Sequence, residues 1–129
     1  MNRKPKIGLL TFASEWFWQA GAQKLYPDLP KRVENDTLKI VSILRKEMDV
    51  VHSGMTGTRK KVLLAIDTFR KESVDLVVIC PLMWTDDAPL FGVIEELSAL
   101  PMLLWCYTPE LSLPEKVSWP ELLRRSGPV

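Results

Sequence analysis

Val74 to Trp84, VDLVVICPLMW, is the stretch that most limits what this chain can become. It carries an acidic residue, Asp75, at its second position, runs through an unbroken apolar and β-branched core, and stops at a proline shortly before a tryptophan. A strand that shows no polar side is buried on both faces, as central strands of parallel sheets are. Open α/β sheets bind their ligands just beyond the carboxyl ends of such strands. Cys80 to Asp87 is therefore the expected meeting point with a substrate or partner.

Other elements arrange themselves around that strand. Lys6 to Phe12 (KIGLLTF) reads as a first strand, with Gly8 inside it; packing against a helix is the common reason for a glycine there. Ser14 to Tyr26 follows as a helix capped by Ser14, with Glu15 at its positive end. Trp16, Phe17 and Trp18 are consecutive, so one helix face cannot bury all three, and they form the candidate oligomer contact. Beyond Pro27 and Pro30, the residues Val33, Thr37, Ile40, Val41 and Leu44 recur at helical spacing. A short second strand, Met48 to His52, is followed by Ser53 to Thr58 (SGMTGT) as a turn that opens a helix facing inward through Val62, Ile66 and Phe69. Arg59, Lys60 and Lys61 place positive charge at that helix's positive end, an unfavourable arrangement that a solvated face explains more simply than an acidic partner. Thr85 to Pro89 starts a further helix with Leu90, Ile94 and Leu97 inward, and Met102 to Tyr107 is a fourth strand. A last helix is expected from a capping box at Ser118 to Glu121.

Strands alternating with helices imply an α/β three-layer sandwich, with a flavodoxin- or Rossmann-like parallel sheet in the order 2-1-3-4. The first and third strands are then neighbours at the switch point, and their carboxyl ends line one crevice. The fourth strand would be a continuously apolar edge, a liability unless covered. Ser126 to Val129 also reads as the start of another helix. Both features point to residues 1–129 as a single domain that is a piece of something longer, or as a chain buried in an oligomer.

The chemical inventory excludes much. No Gly-x-Ser-x-Gly occurs, and no Gly-x-Gly-x-x-Gly follows the first strand. Gly54, Gly57 and Lys60 lack Walker spacing. The first strand does not end in the acidic residues of a phosphoacceptor domain. His52 is the only histidine, so no histidine pair can build a metal site or relay, and a lone histidine at a strand end is more often structural. Cys80 and Cys106 have neither metal nor redox spacing and read as reduced core thiols. The net charge of +1 offers no field to nucleic acid or an anionic membrane. Apolar runs are too short to span a bilayer, and the basic Met1 to Lys6 leads into no signal-type segment, so a cytoplasmic location is expected. What the crevice offers is carboxylates (Glu15, Asp86, Asp87), hydroxyls (Thr11, Ser14, Thr85) and indoles (Trp16, Trp84). Helix capping alone would also explain Asp86 and Asp87. As a set these groups suit a carbohydrate, whose hydroxyls hydrogen-bond and whose C–H face packs on an indole. The candidate substrate-binding residues are Thr11, Glu15, Trp16, Trp84, Thr85 and Asp86, with no catalytic residue and no metal ligand assigned.

Lys4-Pro5-Lys6-Ile7-Gly8, Cys80-Pro81-Leu82-Met83-Trp84 and Pro101-Met102-Leu103-Leu104-Trp105, with the trailing Ser126-Gly127-Pro128-Val129, resemble the N-terminal domain of the L-fucose isomerase and L-arabinose isomerase family. The resemblance implies an aldose–ketose isomerase acting on a monosaccharide as a homo-oligomer. It also implies a divalent metal, usually Mn2+, held by two carboxylates and a histidine in later domains beyond Val129. The first domain would supply oligomer contacts and substrate loops, with Trp84 matching a loop tryptophan and Glu15 and Trp16 falling in the loop after the first strand. Fucose isomerases carry an arginine near that loop and this chain does not, which leaves the sugar open. The rival expectation is a freestanding flavodoxin-like domain that binds a carbohydrate or small anion without catalysis.

Overall fold

The computed structural model describes residues 3–108, 112 and 115–119. Strand β1 (Lys6–Phe12) is followed by a 3-10 turn (Glu15–Trp18), helix α1 (Ala20–Leu25) and helix α2 (Leu29–Leu44). Strand β2 (Asp49–Thr56), helix α3 (Arg59–Glu72), strand β3 (Leu76–Pro81), helix α4 (Asp87–Glu96) and strand β4 (Met102–Leu104) complete it. The four strands form one sheet in the order β2-β1-β3-β4, and every pair is parallel. This is the α/β, flavodoxin- or Rossmann-like arrangement expected from the alternation of elements.

Alternate side chains of β1 and β3 feed two cores. Ile7, Leu9, Val78 and Cys80 meet Leu29, Val33, Ile40 and Val41 of α2 on one face. Leu10, Phe12, Val77 and Ile79 meet Val62, Ala65, Ile66 and Phe69 of α3 and Val93 of α4 on the other. Gly8 sits under Phe69: a Cβ there would lie 2.7 Å from the ring, so the glycine lets the helix approach the strand. No helix among the described residues is long and apolar enough to cross a membrane.

Several boundaries move. The segment after β1 is a 3-10 turn plus a short helix instead of one long helix, and the Ser14 side chain makes no capping bond. Strand β2 runs on to Thr56 through much of what reads as a turn. Its register slips beside β1, Leu9 facing His52 and Thr11 facing Met55, and Gly54 takes up the extra residue at φ +94°. Helix α4 and its C-cap Leu97 turn Pro89, Gly92, Val93 and Leu97 inward with Leu90 part-buried against them, so of the expected face only Ile94 is exposed. Strand β4 keeps only three residues, all exposed. Cys80 is buried and Cys106 exposed, both free, so the core-thiol reading holds for Cys80 alone. Burial, with Cys106 nearby, pushes the Cys80 thiol up to about 12. The helix expected from Ser118 and the Ser126 to Val129 segment lie for the most part outside the described residues.

Candidate functional site

The carboxyl ends of β1, β2 and β3 are tied together by main-chain bonds. Leu82 N donates to Phe12 O at 2.9 Å, Ser14 N to Trp84 O at 3.1 Å and Ala13 N to Thr56 O at 3.4 Å. Thr56 adds its hydroxyl, donated to Thr11 O at 2.8 Å. The loops after β1 and β3 thus leave the sheet side by side, at the point where the chain reverses direction across it.

Phe17 turns under these loops and is 2% exposed. It meets Trp16 edge-to-face at a ring separation of 4.9 Å and Trp84 at 6.2 Å, holding both indoles over the sheet end. Above it opens a cleft of about 620 Å³ walled by Ser14, Glu15, Trp16, Gln19, Gly57, Thr58, Trp84 and Asp86. A second lobe of about 310 Å³ shares Glu15, Gln19 and Gly57 and adds Ala13, Trp18, Met55 and Lys61. Glu15 stands between the lobes. One of its carboxylate oxygens, Oε1, is buried and meets the Lys61 ammonium; no other donor among the described residues reaches it.

Of the expected substrate contacts, Glu15, Trp16, Trp84 and Asp86 come together in the cleft. Thr11 and Thr85 do not. Thr11 is fully buried with its hydroxyl 2.9 Å from His52 Nε2, because its position in β1 points it into the sheet's α2 face beside Leu9. Thr85 is 3% exposed, and its Oγ1 has no partner among the described residues. Phe17 is corrected too: it is a core residue, unavailable to a partner subunit from this position. Trp18 is part-buried with Nε1 donating to Glu34 at 3.3 Å, which leaves Trp16, 42% exposed, as the most open of the three aromatics.

Gln19, Gly57, Thr58 and Lys61 are cleft residues that the sequence reading did not assign. The signal for Lys61 was present in the misplaced positive charge at the start of α3. Its partner is Glu15, which lies far away in the chain. Among the described residues no three His, Cys, Asp or Glu side chains converge on a point that could hold a metal. The residues here do not fit a manganese site, and no chemical step is derived through one.

His52, in β2, titrates in a range where stability can be followed near neutral pH. Burial, followed by the positive charge of Arg45, holds its imidazole below the ordinary 6.5. The unfolded chain therefore binds more protons as pH falls through about 6.5, so the histidine's contribution is complete above that value and is lost as the folded imidazole titrates. Urea unfolding between about pH 7.5 and about pH 5.5 is expected to show stability falling with pH, with a shallower slope in His52→Gln. Equal slopes in the two proteins would refute this.

No family model matches the chain, and no curated protein matches it. Among solved structures, the chain is similar to the crystal structure of the lac repressor dimer bound to operator and the anti-inducer ONPF, at 16% identity and a TM-score of 0.41. The similarity covers 79% of this chain and 27% of that one, so this chain spans well under a third of that protein's length.

Proposed function

We propose that this crevice binds a monosaccharide, and that the domain serves as the first domain of a fucose/arabinose isomerase-like enzyme of the cytoplasm. In that role it supplies substrate-loop and subunit contacts for aldose–ketose interconversion, while the metal chemistry belongs to other parts of the protein. The observation that carries the ligand class is the convergence of Glu15, Trp16, Trp84 and Asp86 in one cleft of about 620 Å³ at the switch point. That volume lies within the range of about 300–1,000 Å³ usual for small-molecule sites. Two indoles offer apolar faces, and two carboxylates offer acceptors for hydroxyl protons.

A panel of pentoses and deoxyhexoses at millimolar concentration is expected to change intrinsic tryptophan fluorescence, since two indoles line the cleft. Trp84→Ala should weaken the best sugar about fivefold to tenfold by removing one apolar wall. A panel that moves neither fluorescence nor thermal midpoint would overturn the ligand assignment. Isomerisation is tested separately, on the whole product of the gene with added manganese. A sugar that binds but is never isomerised would favour the second reading, a binding domain without catalysis.

A further inference from the structure

Resting on the reading of the crevice as a polyol site, we infer that the Glu15–Lys61 pair is its charge filter. Lys61 is a cation held in reserve, and Glu15 decides what it can bind. Among the described residues, Lys61 is the one basic residue in the walls of either lobe, against two carboxylates, Glu15 and Asp86. Its ammonium is already on Glu15 Oε1, an oxygen with no other donor among the described residues. The pairing is fixed from below. Gly57 has no side chain, and a Cβ there would lie 2.6 Å from Glu15 Cγ, so the glutamate packs directly on the Gly57 backbone within reach of α3.

An anionic ligand, such as an aldonate or a sugar phosphate, would have to displace Glu15 from Lys61 or share the ammonium with that carboxylate. Displacement leaves a buried carboxylate oxygen without a counter-charge, and sharing sets two anions against one ammonium. A neutral hydroxyl faces neither penalty. An ammonium has three protons to donate and Glu15 has a second oxygen to accept, so a sugar can bond to the pair without separating it.

The test uses gluconate and inorganic phosphate as anionic probes, beside the neutral sugar panel. Calorimetry at low salt would compare the unmodified protein, Glu15→Gln and the double variant Glu15→Gln/Lys61→Met. Gluconate is expected to bind the unmodified protein too weakly to saturate. Glu15→Gln frees the ammonium and should tighten gluconate by about tenfold or more, a gain that salt weakens and the double variant loses. Glu15→Gln keeps the side chain's shape at a part-exposed position, so the fold is not at stake. Gluconate binding the unmodified protein as tightly as the best neutral sugar would overturn the filter, and so would a Glu15→Gln protein with no gain. Failure of the polyol reading looks different: neutral sugars stay silent while Glu15→Gln still acquires the anion.

Discussion

Phe17→Ala is expected to lower the stability of the domain by about 3–5 kcal/mol in urea unfolding, the usual cost of deleting a buried phenyl group. Phe17 is 2% exposed and packs in the α2-side core with Leu29, Val33 and Met83. Its ring also meets Tyr26 at 6.1 Å and Trp84 at 6.2 Å, so the alanine leaves a void under the cleft as well as in the core. Near-ultraviolet circular dichroism should therefore change under conditions where the variant is still folded, because two indoles lose their edge-to-face neighbour. Trp16→Ala, at a side chain 42% exposed, should cost far less. The reverse ranking, with Trp16 the costlier deletion, would mean that Phe17 is the outward member of the triplet.

That contrast shows where the sequence was readable and where it was not. Three consecutive aromatics correctly announce that they cannot share one helical face. Which of them turns inward depends on the local period. A 3-10 turn has about three residues per turn, which sets neighbouring side chains roughly 120° apart. Phe17 goes under, and its neighbours splay. Strand order and the switch point were legible because β1 and β3 are short apolar runs joined by helices, a pattern with few topological solutions. The four cleft residues found from sequence follow from the strand-end rule in the same way. Misses came from contacts between distant segments. Strand β2 continues past Gly54 because a glycine at φ +94° absorbs a bulge and Thr56 then bonds to Thr11, and neither event has a local signature. Thr11 hides because strand alternation sends it to the α2 face. On α4, packing keeps Leu90 and Leu97 of the expected face against the core, adds Pro89 and Val93, and leaves Ile94 outside. Lys61 enters the site only because β2 and α3 bring it to Glu15.

Gly57→Ala should damage stability and ligand binding together. A Cβ at this position would lie 2.5 Å from Ala13 O, 2.6 Å from Glu15 Cγ and 3.1 Å from Glu15 N. Two of those three atoms belong to the backbone, which cannot rotate out of the way. The same stretch is bound to the end of β2 through Ala13 N and Thr56 O, so relief requires the ends of β1 and β2 to separate. Overpacking of this kind costs about 1–3 kcal/mol. Glu15 is displaced in the process, and with it the wall shared by both lobes and the seat of Lys61. Sugar-induced fluorescence change should therefore weaken in Gly57→Ala at temperatures where the protein remains folded. Gly21→Ala is the matched control: nothing lies within 4 Å of a Cβ at Gly21, inside α1, so this alanine should be neutral or stabilising by up to about 1 kcal/mol. Opposite signs for two glycine-to-alanine changes would locate the effect in the contact with the β1 loop, because the loss of backbone freedom in the unfolded chain is common to both. A Gly57→Ala protein as stable as its parent, with its sugar response intact, would mean that the close approach does not hold the cleft together.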